Sequence, residues 1–340
     1  MTPIERVIGI DIGGTKLSVA GFDAQKLQAT DKAYVQEALQ RLAIAETPKT
    51  EGSFINRIAE LIDHARGDVP ASQCLVGIST AGIANPKTGE ILGSTGNLPA
   101  VGYHPFPLGA SVASKLGVPL VHVENDANAA AYGECRLGAA LGHQNVVMIT
   151  LGTGVGGGIV VNGQLLRGSH FSAGEVGHIR ISLTNDRQCT CDRIGCWEIY
   201  ASGTGLAMTA KRDVSELPNS PEALDLLQGK PIEELTTHAL VAAYQRGNRL
   251  AESLMDKWHF HIATGLGSVM NILDPDIAVI GGGMAQFVEL DRLKHYLDVR
   301  AMEVMQSTPI VKAQLGNKAG MIGAAYLALE QAPKQALLVV

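Results

Sequence analysis

The sequence predicts an α/β protein built as two related lobes, and three observations carry that expectation. The chain has 340 residues, too many for one ordinary core and comfortable for two domains. Short β-branched runs alternate with segments of helical period, the pattern of layered α/β folds. A strand–glycine–strand unit near residue 10 recurs near residue 152, a coarse internal repeat.

Arg6–Ile12 and Lys16–Phe22 read as two strands of a hairpin joined through Gly13-Gly14. Phe54, Ile55, Ile58, Leu61 and Ile62 fall on one face of a helix over 54–65. Leu75–Ser79 and Val118–Val123 are apolar strands, and the alanine-rich Asn125–Leu137 is a helix capped by Asn125 or Asp126. The second cycle has strands over Val146–Leu151 and Ile159–Val161 with Gly152–Gly158 as the turn between them. Residues 169–196 look irregular. Helices are expected over Trp197–Lys211, Ile232–Tyr244, Arg249–Leu273 and Gly320–Leu329, with a strand over Asp276–Ile280 followed by another helix. Residues 24–51 and 213–231 give no clear period.

Composition sets outer bounds. With 46% hydrophobic and 18% charged residues the chain is globular rather than disordered. Its 39 glycines exceed the usual share of about 7%, which suggests tight turns or loops that approach phosphates. A net charge of −6 gives little attraction to nucleic acid, so no nucleic-acid partner is expected. The opening MTPIERVIGIDIGG lacks a basic region followed by an apolar core, and no run is long and apolar enough to span a bilayer. The expectation is a cytoplasmic protein without a membrane partner.

The chemistry gathers at glycine loops. Asp11-Ile-Gly-Gly-Thr-Lys16 follows a strand: Gly13 and Gly14 admit an anion to the backbone, Thr15 offers a hydroxyl and Lys16 a cation, and Asp11 can hold hydrated magnesium near a phosphate. Gly152, Thr153 and Gly154 open a second such loop, and Gly282 and Gly283 a third. Each alone could be a plain hairpin turn; three together, with acid and hydroxyl partners, point to a nucleotide. Glu124-Asn-Asp-Ala-Asn128 follows a strand, where a carboxylate reaches a crevice. Asp126 there could take the proton of a substrate hydroxyl, as phosphoryl transfer requires, or could simply cap the next helix.

DIGGTK, LGTGVGGG, NDANAA, GEVGH at 174–178, CTCDRIGCWE and DPDIAVIGGG together resemble, in order and spacing, the ROK family of bacterial sugar kinases, over roughly residues 6 to 330. The resemblance implies the actin/hexokinase-like (ribonuclease H-like) fold, with two α/β lobes closing on a nucleotide and sugar cleft. It implies Asp126 as catalytic base and Asp11 beside the metal-bound phosphates. It also implies that Asn97, Asn125, Asp126, Glu175, His178 and Glu198 meet sugar hydroxyls, for which carboxylates and amides are natural partners. The expected division is residues 1–123, completed by a helix at 317–340, against 124–316.

Three of five cysteines crowd into Cys189-Thr-Cys-Asp-Arg-Ile-Gly-Cys196. In a reducing cytosol a disulfide is improbable, which favours metal. Cys189, Cys191 and Cys196 supply three thiolates, and His178 is the candidate fourth ligand of a closed, structural zinc. The resemblance implies the same Cys₃His site. One imidazole nitrogen would then hold zinc while the other reaches a sugar hydroxyl. Two departures from the family pattern stand out. Asp192 replaces a glycine, which is tolerable at positive φ because Asp is among the few residues that accept it. Asn97-Leu-Pro-Ala-Val101 replaces the NLPGW frequent in glucokinases, which leaves the choice of hexose open. Cys74 and Cys135 read as core.

The expected activity is therefore an ATP- and magnesium-dependent hexose kinase, a glucokinase acting on the 6-hydroxyl. N-acetylmannosamine, fructose and mannose kinases are the nearest alternatives, polyphosphate is a remote alternative donor, and a non-catalytic sugar sensor is the rival of another class. Family repressors carry a helix-turn-helix ahead of the first lobe. Here the first strand begins by about Arg6, so none is expected. The resemblance implies a homodimer, or a tetramer.

Overall fold

Ile8, Ile10 and Ile12 are sealed from solvent on one face of a strand, while Gly9 and Asp11 lie on the other. That alternation places β1 (Arg6–Ile12) between two layers in the computed structural model, which describes residues 3–93, 98–102, 104–184, 187–299, 302–303 and 307–332. The chain continues through β2 (Lys16–Asp23), α1 (Ala24–Gln28), α2 (Lys32–Ala38), β3 (Ala43–Glu46), α3 (Glu51–Arg66), β4 (Cys74–Thr80), β5 (Ile83–Asn85), β6 (Glu90–Gly93), α4 (Leu108–Leu116), β7 (Leu120–Asn125) and α5 (Asp126–Leu137). A second series follows: β8 (Val146–Leu151), β9 (Val155–Val161), β10 (Gln164–Leu165), α6 (Glu198–Ala201), α7 (Gly203–Glu216), α8 (Pro221–Leu227), α9 (Thr237–Gln245), α10 (Arg249–Leu273), β11 (Ile277–Gly281), α11 (Leu290–Leu297), β12 (Ile310–Lys312) and α12 (Ala319–Gln331).

Two five-stranded sheets result, ordered β3-β2-β1-β4-β7 and β10-β9-β8-β11-β12. In the first, β1 and β2 form the antiparallel hairpin, and β4 and β7 add in parallel. In the second, β8 lies beside β9, and β11 and β12 add in parallel. The repeat read at residues 10 and 152 is this shared order. By contact the chain forms two compact units, 1–144 with 158–173 and 314–340, and 145–157 with 174–313. The first unit thus takes in α5, which the expected division gave to the other side, because α5 packs on α12.

In the first unit the even face of β1 and β4 joins Phe54, Ile58, Leu61 and Ile62 of α3 and Leu108 and Val112 of α4 in one apolar core. The odd face takes α12. Gly9 and Gly77 are register partners there, and a Cβ on Gly77 would fall 1.9 Å from the carbonyl oxygen of Ala324. α12 meets α5 as closely: a Cβ on Gly323 would lie 1.7 Å from the Ala129 oxygen, and one on Gly133 would lie 2.5 Å from the Ala319 oxygen. Many of the glycines thus serve backbone contact, a use the composition did not suggest.

Several boundaries differ from the sequence reading. Gly156–Gly158 belong to β9 rather than to a turn; Gly158 runs against Ala127 and Ala131, where a side chain has no room. The helix expected over 197–211 breaks at Ser202, whose extended backbone and hydroxyl start α7 afresh. The helix expected over 232–244 shrinks to α9, capped by Thr236. Residues 24–51 form α1, α2 and the edge strand β3. α10 spans 249–273 as read.

Gly323→Ala should lower stability by about 1–3 kcal/mol, because overpacking outweighs the helix propensity gained. Gly52→Ala, in α3 with nothing within 4 Å of the new carbon, should be neutral or slightly stabilising. Urea unfolding of the two variants checks the contrast.

Candidate functional site

In the first unit, Gly13-Gly14-Thr15 turns β1 into β2. The loop is gripped from β3's end: Thr47 Oγ1 donates to the Gly13 carbonyl at 2.6 Å and Thr47 N–H to the Thr15 carbonyl at 3.0 Å. Gly14, Thr15 and Lys16 remain exposed. Asp11 sits on the α12 face, where Ser79 Oγ donates to it at 2.7 Å. Burial pushes its carboxyl above the ordinary range, against the Ser79 bond. A Cβ on Gly320 would lie 2.8 Å from the Asp11 carboxylate, so α12 is bare where it passes Asp11.

At the end of β7, Asn125 has extended backbone, and its Oδ1 accepts from Ala127 N–H at 2.9 Å and Asn128 N–H at 3.1 Å. Asn125 is therefore the cap, which leaves Asp126 as the first helical residue, exposed, with Oδ1 also accepting from Ala127 N–H at 2.8 Å. The Asn125 amide nitrogen donates to the Gly82 carbonyl at 3.1 Å. Beneath this turn lies Glu124, 1% exposed. It accepts from Arg167 Nε at 2.8 Å and from Asn128 Nδ2 at 3.2 Å, with His122 Nε2 at 3.6 Å. Burial would raise its pKa, but His122 and Arg167 prevail and hold the carboxyl below the ordinary range.

In the second unit, Gly152-Thr153-Gly154 connects β8 to β9. A Cβ on Gly154 would lie 2.3 Å from Glu198 Oε2, and that oxygen accepts from Val155 N–H at 3.0 Å. The other Glu198 oxygen accepts from Thr190 Oγ1 at 3.1 Å. Gly203 N–H donates to the Gly152 carbonyl at 2.8 Å. Gly282 has φ +85° and no space for a side chain beside Leu151, whereas Gly283 is open. Glu198, expected to meet sugar, thus also ties the glycine loop to the cysteine segment.

His178, Cys189, Cys191 and Cys196 come together with their ligand atoms all within 4.8 Å of one another. Cys191 and Cys196 Sγ are 3.7 Å apart, and Cys189 Sγ lies 3.6 Å from His178 Nδ1. A tetrahedral zinc sets such edges at about 3.8 Å for two sulfurs and about 3.6 Å for sulfur and nitrogen, and these two distances are compatible with one. No disulfide forms among them. Burial pushes the Cys189 thiol up and the Cys196 thiol up to about 12, so taking a metal would release protons. Asp192 has φ +63°, the conformation the missing glycine would otherwise serve. His178 Nε2 points the other way, 3.9 Å from Glu175. Burial raises the Glu175 carboxyl; His178 opposes this and Glu198 adds to it.

The segment is anchored by residues the sequence reading passed over. Buried Arg187 donates to the Ile199 carbonyl at 3.2 Å and to Thr209 Oγ1 at 2.9 Å, and its guanidinium covers the Tyr200 ring at 4.5 Å. Trp197 is fully buried against Gly265 and donates to the His261 carbonyl at 2.8 Å. Ser79, Thr47, Arg167 and His122 were missed as well; only Glu124, inside ENDAN, carried a local signal. Asn97 lies outside the described residues. Its neighbours Leu98, Ala100 and Val101 are buried in the first unit's core.

The sequence profile of the ROK family matches residues 7–331. The chain belongs to the ROK family. This ROK sugar kinase is 35% identical to a glucokinase of Streptomyces coelicolor over 96% of its own length and 98% of that chain. It is 30% identical to an N-acetyl-D-glucosamine kinase of Salmonella typhimurium over 94% of its length and 98% of that one. Among solved structures, a ROK family glucokinase of Streptomyces griseus in complex with glucose and AMPPNP superposes with a TM-score of 0.74 at 33% identity, covering 96% of this chain and 99% of that one. The two-lobed actin/hexokinase-like fold is thus that of the ROK kinases. No helix among the described residues is long and apolar enough to cross a membrane.

Because the Glu124 pKa is depressed, its stabilising effect is present above the ordinary value of about 4.3 and is lost as pH falls through the folded-state pKa. Arg167→Met should cost about 1–3 kcal/mol at neutral pH, with the deficit closing below about pH 4. Urea titrations across pH test this; a deficit that is constant with pH contradicts it.

Proposed function

We propose that this ROK kinase transfers the γ-phosphate of ATP to the 6-hydroxyl of a hexose, glucose being the first candidate, with Asp126 as general base. The observation that carries the reading is the placement of Asp126: exposed, at the start of a helix capped by its neighbour Asn125, above a buried and ionised Glu124. A carboxylate held this way keeps one orientation and can take the hydroxyl proton as the sugar oxygen attacks phosphorus and ADP departs. The glucokinase relatives support glucose. The N-acetyl-D-glucosamine kinases at 30% identity support a sugar bearing a larger 2-substituent as the second reading.

Asp11, Gly13, Gly14, Thr15 and Lys16 would attend the phosphates, joined by Gly152, Thr153, Gly154, Gly282 and Gly283. Lys16 supplies a positive charge, and the loop N–H groups supply donors. Magnesium bound near Asp11 would neutralise charge on the phosphates and draw that raised carboxyl back to its ionised form. Glu175, His178, Glu198, Asn125 and Asn97 would receive sugar hydroxyls, together with Asp126. Each is a polar partner whose hydrogen bond is lost when the matching hydroxyl is absent, which is how such a site selects its substrate.

Zinc in the Cys₃His cluster would be structural, because all four positions are taken by protein. It would fix the His178 ring with Nε2 turned towards Glu175 and leave the chemistry to the carboxylates.

Asp126→Asn should lower kcat about 10²–10⁴-fold with little change in sugar affinity, read from ADP release with MgATP over glucose, mannose, fructose, N-acetylglucosamine and N-acetylmannosamine. Turnover near wild type in that variant rules out the assigned base. Purified protein should carry one zinc per chain by elemental analysis. Cys191→Ser should lose the metal and melt earlier, and an unchanged zinc content there would remove the site.

A further inference from the structure

A cavity of about 270 Å³ opens in the first unit where the residues 24–51 fold back on the sheet. Its wall combines Arg6 of β1, Tyr34 and Glu37 of α2, Arg41, and His64 and Arg66 of α3. Three guanidiniums face one carboxylate on that wall. Arg41 is engaged only loosely, pairing with Glu37 at 3.2 Å with both side chains mostly exposed, whereas Arg66 is held locally by Asp63 at 2.7 Å and by the Val69 carbonyl at 2.9 Å. A pair as exposed as Arg41–Glu37 is worth little and yields readily to a doubly charged anion. Arg6 is different. It is half-buried, and its Nε is sealed from solvent with no hydrogen-bond partner among the described residues, so a ligand in the cavity would meet its terminal guanidinium nitrogens.

The rest of the wall suits hydroxyls. Tyr34 accepts from Asp23 N–H at 2.6 Å and retains its own proton for an acceptor. α3 ends at Arg66, whose carbonyl takes only a long bond, 3.4 Å, from Val69 N–H. The volume lies below the roughly 300–1,000 Å³ of drug-sized ligand sites, too small for a nucleoside triphosphate.

We propose that this pocket binds a small phosphorylated polyol, with its phosphate on Arg6 and Arg41 and its hydroxyls on Glu37 and the carboxyl end of α3. The choice of a hexose phosphate as probe rests on the sugar-kinase reading; the site itself does not.

The test is calorimetric titration of the full chain, saturated with glucose and a non-hydrolysable ATP analogue, by glucose 6-phosphate, inorganic phosphate and further glucose. One equivalent of the ester should bind, phosphate more weakly and glucose not at all. Arg41→Ala and Arg6→Gln should each weaken the ester by about tenfold or more. Arg41 is exposed, so its variant remains informative if Arg6→Gln folds poorly. Absence of ester binding, or binding undiminished in Arg41→Ala and in folded Arg6→Gln, overturns the site. Phosphate binding as tightly as the ester overturns the role given to the hydroxyls. Because the readout is binding, a chain that phosphorylates none of the hexoses leaves this test intact.

Discussion

The contact of α12 with the odd face of β1 and β4 is the constraint on which the first unit depends. Gly9 and Gly77 lie side by side in register, and the helix backbone rests directly on them. On its flank α12 meets α5 through Ala319 and Gly323 against Ala129 and Gly133, small residues four apart on each helix. One helix therefore fixes two things at once. It passes over the Asp11–Ser79 pair at Gly320, and it sets the axis of the helix that begins at Asp126. Close-packed backbones have few alternative arrangements, so the spacing of those two carboxylates is held by the least chemically active part of the unit.

A second kind of support is electrostatic. Glu124 lies under the Asn125–Asp126 turn and stays ionised only because Arg167 and His122 oppose the effect of burial. Gln331 near the end of α12 reaches His122 Nδ1 at 2.6 Å, so the same helix closes this network too. In the other unit Glu198 plays a comparable part, joining the glycine loop at Val155 to Thr190 of the cysteine segment. Glu124 sits one step behind the groups that would touch substrate, whereas Glu198 is itself proposed among them.

What could be read in the sequence was whatever repeats or stays local. The hairpin at Gly13-Gly14, the helix over 249–273 and the Asn125 cap have signals within a few residues, and the Cys₃His set lies within residues 178–196. The positive φ of Asp192 followed from its standing where a glycine is usual. Long-range fits were not legible. Nothing in GMIGAAYLAL names its partners, and Gly158 looked like part of a turn because the reason for a small residue there, Ala127 and Ala131, lies some thirty positions away. Ser79, Arg167 and Arg187 matter through side chains brought from elsewhere, which no spacing rule encodes. Residues 24–51 showed no clear period because they form two short helices and a four-residue edge strand, each too brief for one.

The position of α12 in the chain has a consequence for biosynthesis. The strands it covers, β1 and β4, are complete by residue 80, but their glycine-lined face stays open until residues 319–331 exist. At about 5–20 residues per second that interval is on the order of ten to fifty seconds. Meanwhile the whole of 174–313 is made and can collapse around α10. The nascent chain thus carries an unfinished sheet through most of its synthesis, and its principal contacts close over a very long loop, which slows folding. Dependence on chaperones that shield such surfaces is the expected cost of completing a sheet with a helix made more than two hundred residues later.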